Sequence, residues 1–217
     1  MKKFRPAALV AGISALALTL SGCAAPEELA PAPTASETAV TEEAQLAPLL
    51  TVGWNDITDH FNTSTAGGNN VANSLTSYLT GSGFNYYDNG PTLVKNTDFG
   101  TYEIVVEEPL TVKYTINDGV VWSDGTPIDG ADMLLSWVST FGYYKNEDGS
   151  YVFAHAAPKD TLASKLPTVD GNSITFEYDV QYVDWELQFG VGVSAHGTVM
   201  MAYPEITDPA AAKQALI

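Results

Sequence analysis

Apolar and polar residues alternate without a break from Thr111 to Ile116. Val112, Tyr114 and Ile116 fall on one face and Thr111, Lys113 and Thr115 on the other, which predicts a strand with one buried side. Asn117-Asp118-Gly119 ends the run. After Val120, Val121 and Trp122, the cluster Ser123-Asp124-Gly125-Thr126-Pro127 combines turn formers that favour a tight reversal. A helix is predicted next. Asp129 can accept hydrogen bonds from the free N–H groups of its first turn, and Asp132 suits the positive end of its dipole. Leu134, Trp137, Val138 and Phe141 recur at i, i+3, i+4 and i+7, and Gly142 closes the helix as a left-handed cap.

The same reading applies elsewhere. Leu49 to Trp54 is predicted as a strand running into Asn55, Asp56 and Thr58, and Asn69 or Asn70 as the cap of a short helix over Val71 to Leu79. Phe84 to Tyr87 and Thr92 to Lys95 flank Asp88-Asn89-Gly90, which predicts a hairpin with an Asn-Gly turn. Gly100 to Glu107 is a further strand, and Asp170-Gly171 joins two more, the second alternating through Ile174, Phe176 and Tyr178. Trp185 to Phe189 reads as a short helix, and Asp208-Pro209 opens another with Pro at its first position. No internal repeat is visible. Hairpin-paired strands followed by helices give an α/β or α+β fold class.

The first 48 residues follow a different pattern. Lys2, Lys3 and Arg5 precede a mostly apolar run from Ala7 to Leu20, the layout of a secretory signal, and shorter than the about 20 residues that span a bilayer. Leu20-Ser21-Gly22-Cys23 follows at once and resembles the bacterial lipobox, whose cysteine becomes the lipidated first residue of the mature protein. Cys23 is the chain's single cysteine, which leaves a free thiol, an intermolecular bridge or acylation, and its position decides for acylation. Residues 1–22 are therefore expected to be a lipoprotein signal peptide. From Cys23 to Pro48 the chain is rich in Ala, Pro, Thr and Glu and has no aromatic residue, so 23–48 is expected to be a disordered tether and 49–217 the folded part.

Charge narrows the partners. The chain carries 9 Lys and Arg against 26 Asp and Glu, and loss of Lys2, Lys3 and Arg5 with the signal leaves the mature protein still more acidic. Phosphate backbones need a basic surface, so nucleic acid is excluded as a partner. The commoner meaning of such acidity is solubility, and it does not by itself point to a cationic ligand.

Strand, Trp122-Ser123-Asp124-Gly125-Thr126-Pro127 turn, and a helix with Ala131-Asp132 in its first turn together resemble the signature of the extracellular solute-binding proteins of family 5, receptors of ABC importers for peptides and nickel. Tyr114, Thr115, Gly119 and Val120 also match, while Asn117-Asp118 and Asp129-Gly130 depart from the usual pattern. The resemblance implies the N-terminal lobe of a two-lobed periplasmic-binding-protein-like (type II) fold. Members are usually more than twice as long, so the second lobe is expected to be absent here and this stretch alone to bind solute weakly. It further implies an extracytoplasmic receptor without enzymatic activity or cofactor. The receptor would be held at the membrane by lipidated Cys23, binding a peptide or other small solute and working with ABC-transporter permease subunits. Within the family, Trp122 to Pro127 and Asp132 are scaffold. Ligand contacts are expected at Trp54, Asn55, Asp56, Ile57 and Thr58, where the first strand reaches the ligand-facing edge.

Two alternative classes are a single-lobe cell-surface interaction protein, which fits the length, and an exported hydrolase, which needs a catalytic constellation. Gly190-Val191-Gly192-Val193-Ser194-Ala195 nominally fits a dinucleotide fingerprint but lacks a preceding strand and a following acidic residue, and Gly192 to His196 lacks the last glycine of a nucleophile elbow. His60, His155 and His196 have no zinc spacing, and Asp56, Asp59 and His60 read as a solvated loop. Asn146-Glu147-Asp148-Gly149 reads as a hairpin turn, because a calcium loop in that register would begin at Tyr144 and end at His155. No metal site is expected.

Overall fold

A computed structural model describes residues 51–217; the signal segment, Cys23 and the 23–48 tether lie outside the described residues. Helix α1 (Val71–Thr80) opens on Asn70, whose side chain accepts from the Asn73 N–H. Strands β1 (Asn85–Tyr87) and β2 (Leu93–Lys95) form a separate hairpin. Then follow β3 (Gly100–Val106), β4 (Thr111–Ile116), helix α2 (Gly130–Thr140), β5 (Thr168–Asp170), β6 (Ser173–Glu177), a 3₁₀ turn (Trp185–Leu187), α3 (Ala195–Ala202) and α4 (Pro209–Leu216).

The four longer-range strands make an antiparallel sheet in the order β3-β4-β6-β5. Period-2 alternation fixes its faces: Val112, Tyr114 and Ile116 of β4 are buried, and the register sets Val112 against Phe176 and Tyr114 against Ile174. Tyr102 of β3 extends the row opposite Tyr114. On the other face Thr115 and Ser173 pair their hydroxyls at 2.9 Å. Helix α2 packs against the β5–β6 end, and its Trp137 and Phe141 rings sit 6.3 and 5.5 Å from that of Phe176. Each such ring removed from water contributes on the order of 1.5–3 kcal/mol.

The buried arc of α2 is wider than its sequence spacing predicts. Trp137, Val138 and Phe141 are buried as expected, but Met133 and Leu135 are buried too, and Leu134 only partly. The reason is that α2 has neighbours on two sides, the sheet on one and α3 with α4 on the other. Gly142 does take the left-handed conformation, at φ 58°, and a Cβ there would lie 2.6 Å from the Tyr151 ring.

Two local expectations are corrected and one helix is added. Thr51 to Trp54, the described part of the expected Leu49–Trp54 strand, is not a strand: it pairs with no strand among the described residues and is exposed, Val52 by 70% and Trp54 by 54%. β-branched residues alone do not make a strand without a ladder to join. The β1–β2 connection is not a two-residue Asn-Gly turn; Asp88 Oδ1 accepts from the N–H groups of Gly90 and Thr92, and Asp88 N–H donates to the Thr92 carbonyl, closing a longer loop. Helix α3 was not predicted, since its sequence AHGTVMMA has a central glycine and no apolar stripe to mark a period. The turn at Asn146 to Gly149 forms as read, with Asn146 N–H donating to Ser150 O and Gly149 at φ 83°.

Candidate functional site

The Trp122–Pro127 turn is closed by Trp122 N–H donating to Thr126 O at 2.8 Å and Gly125 N–H to Trp122 O at 2.9 Å. Gly125 sits at φ 84°, a conformation that glycine reaches without steric cost. Asp129 then caps α2 by accepting from Ala131 N–H, and Asp132 returns the bond by accepting from Asp129 N–H, a capping box. Asp132 is fully buried and does more than cap. Its Oδ1 accepts from Trp122 Nε1 at 3.1 Å and from Ala195 N–H at 2.8 Å, and its Oδ2 from Lys213 Nζ at 2.6 Å. Lys213, itself buried, also approaches Asp129 at 3.1 Å and donates to the Pro127 carbonyl. One carboxylate thus joins the turn, α2, α3 and α4.

Asp124, at the tip of the turn, meets His196 Nε2 of α3 at 2.8 Å. The Thr126 backbone N–H, and after it His196, hold the Asp124 carboxyl down to about 2, below its ordinary 3.8. A folded-state value below the unfolded one stabilises the fold above the unfolded value and loses that contribution as pH falls toward the folded one. Asp124→Asn is therefore expected to flatten the dependence of melting temperature on pH between about 4 and 2. Parallel melting curves for the variant and the parent across that window would remove this role.

A cleft of about 1160 Å³ opens beside this knot. Phe61 to Ser64 and the second half of α1 form one wall, Ser136, Ser139 and Thr140 of α2 with Phe153 another, and Gly190 to Val193 one end. Trp122 and Ser123 reach its surface. The glycine-rich Gly190–Val193 run follows a 3₁₀ turn and no strand, so its place is a cleft margin.

The wall at Phe61–Ser64 is held by Asn73, a buried amide with all four bonds made. Its Oδ1 accepts from Asp59 and His60 N–H at 3.0 and 3.2 Å, and its Nδ2 donates to Asp59 Oδ1 and Gly68 O at 3.0 and 3.1 Å. Such an amide reads from sequence as an ordinary helix residue. Burial and saturation reveal its task. Trp54, Asn55, Asp56, Ile57 and Thr58 are all exposed and none of them lines the cleft. Thr58 is tied to α1 through Thr76, hydroxyl to hydroxyl at 2.7 Å, and Asp56 accepts from Ile57 N–H. Among the described residues, no group of three or more His, Cys, Asp or Glu side chains is placed to hold a metal ion. The polar cleft side of α2 was legible in principle, as Ser136, Ser139 and Thr140 recur at i, i+3 and i+4.

No family model matches the chain. Over 90 residues, 42% of its length, it is 33% identical to uncharacterized lipoproteins of Mycobacterium tuberculosis and Mycobacterium bovis. Over 116 residues, 54% of its length, it is 29% identical to the oligopeptide-binding protein OppA of Mycobacterium tuberculosis. The chain covers 16% of the lipoproteins and 19% of OppA. Among solved structures it resembles the periplasmic EDTA-binding protein EppA with a TM-score of 0.52 at 22% identity, over 71% of this chain and 28% of that one. Over the matched length, the chain therefore has the mixed α/β fold, with antiparallel sheets, of a periplasmic binding protein.

Proposed function

We propose that this chain is the lipid-anchored, extracytoplasmic solute-binding component of an ABC importer, and that its cleft takes a peptide. The observation that carries the reading is the similarity to OppA across 54% of the chain, in a fold shared with a periplasmic binding protein. The cleft, at about 1160 Å³, is slightly larger than the usual small-molecule pocket and mixes aromatic faces with hydroxyl and amide groups, the surface a peptide backbone and its side chains require. Trp54 to Thr58 are outer contacts in this reading, since they lead into the Phe61–Ser64 wall and Trp54 offers an exposed apolar face with one donor. Binding occurs without turnover, and permease subunits receive the solute. Calorimetry of the whole protein, as its gene encodes it, against a di- to pentapeptide library should give micromolar or tighter binding with the peptides recovered intact. Absence of binding, or cleavage of the peptides, would overturn the proposal.

Anchoring is proposed to run through Cys23, which carries a diacylglycerol after cleavage behind Gly22. Each buried methylene contributes about 0.8 kcal/mol and stable anchoring takes two chains, which a diacyl group supplies. Cys23→Ala should move the protein from the membrane fraction to the soluble extracytoplasmic fraction. Retention of the variant in membranes after a high-salt wash would exclude the lipid anchor.

A further inference from the structure

The cleft is uncharged throughout. In a chain with 26 acidic and 9 basic residues, no Asp, Glu, Lys, Arg or His among the described residues lines it. Its surface is instead built from aromatic, aliphatic, hydroxyl and amide groups. Phe61 and Tyr78 are exposed by 75% and 58%, unusually open for rings of their size. Tyr78 is also fixed in place, because its hydroxyl donates to the Tyr87 carbonyl at 3.2 Å and accepts from the Tyr87 N–H at 3.1 Å. A ring locked at its polar end loses little freedom when a ligand packs on its face. Across the cleft, the hydroxyls of Ser136 and Ser139 make no hydrogen bond among the described residues and are free to exchange bonds with a bound group.

We infer that this cleft selects peptides by side-chain charge, accepting apolar, aromatic, hydroxyl and amide side chains and rejecting carboxylate and ammonium ones. The inference rests on the peptide-binding reading above and adds its substrate class. A neutral side chain entering the cleft trades water for hydroxyl, amide and ring contacts. A charged one loses hydration and meets no countercharge on the described walls, which is the costly case of polar burial.

The test is calorimetry of the whole protein with pentapeptides Ala-Ala-X-Ala-Ala, whose termini are identical and so cancel. Gln against Glu at X compares near-isosteres, and norleucine against Lys does the same for a cation. The neutral member of each pair should bind about tenfold tighter or more. Ser139→Lys, which adds a cation to the α2 wall, should reverse the order of the Glu and Gln peptides. Equal binding of Glu and Gln peptides by the parent protein overturns the inference and leaves the peptide receptor standing. A reversal absent in a Ser139→Lys protein that keeps the parent's melting temperature also overturns it. Failure of every peptide to bind, with or without binding of a neutral oligosaccharide, overturns both the inference and the reading beneath it.

Discussion

Asp132→Ala is expected to destabilise the fold by about 3–5 kcal/mol, the cost of removing one partner from a buried ion pair. The change leaves the Lys213 ammonium inside the protein without its 2.6 Å partner, and strands the Trp122 indole N–H and the Asp129 and Ala195 backbone N–H groups. Those donors cannot all turn to water, because Asp132 is fully buried and Lys213 nearly so. Domains are stable by only about 5–15 kcal/mol, so the variant should unfold at a much lower urea midpoint. Replacing both partners, as Asp132→Leu with Lys213→Met, should recover part of the loss, since the buried ammonium that had lost its nearer carboxylate and kept only Asp129 is then removed. A loss below about 1 kcal/mol for Asp132→Ala would show that the four bonds are readily replaced by water.

Tyr114→Ala should cost a similar amount, about 3–5 kcal/mol, through the cavity it leaves. Tyr114 is wholly buried at the centre of an aromatic cluster, with ring centroids of Phe189, Phe84 and Tyr102 at 4.9, 5.0 and 5.4 Å. Its hydroxyl donates to the Trp185 carbonyl at 3.1 Å, joining strand β4 to the turn that leads into the cleft margin. Burial also pushes its phenol well above the usual range, so the group stays a neutral donor. Tyr114→Phe keeps the ring and loses that bond, and should cost only about 1 kcal/mol. Denaturant unfolding of the two variants separates ring from hydroxyl. Equal losses would mean that the hydroxyl, and not packing, dominates.

The parts of the fold that were legible are those where one periodicity and one kind of turn chemistry agree. In β4 the alternating Val112, Tyr114 and Ile116 have a single buried face, and Asp129 caps α2 with a side chain suited to little else at that position. The Thr51–Trp54 segment has a composition that suits a strand, but finds no ladder among the described residues to join. Helix α3 was hidden by Gly197 and by the absence of a polar face. The site was less legible than the scaffold. The partnership of Asp132 with Lys213 spans 81 positions in sequence, and Lys213 looks like any exposed lysine in the last turn of α4. The cleft gathers residues from Phe61 to Thr198, so its neutrality is a property of the assembled surface and of no single stretch. The expectation of ligand contacts at Trp54 to Thr58 rests on the family resemblance, which places the end of the first strand at the ligand-facing edge; the cleft wall begins a few positions later, at Phe61 to Ser64.

The strand order β3-β4-β6-β5 also governs how the chain reaches this state. β3 with β4, and β5 with β6, are hairpins whose partners are near in sequence and can meet early. The central β4–β6 seam pairs Thr115 with Ser173, 58 residues apart, so it must wait for the whole α2 segment to be brought in between. Pairing of such separation slows folding, because chain entropy is lost before the contacts that compensate for it exist. Docking of the two hairpins is therefore the expected slow step. Until they dock, Val112 and Tyr114 on one hairpin and Phe176 on the other stay open to water, so the aromatic core is the last part of the sheet to be sheltered.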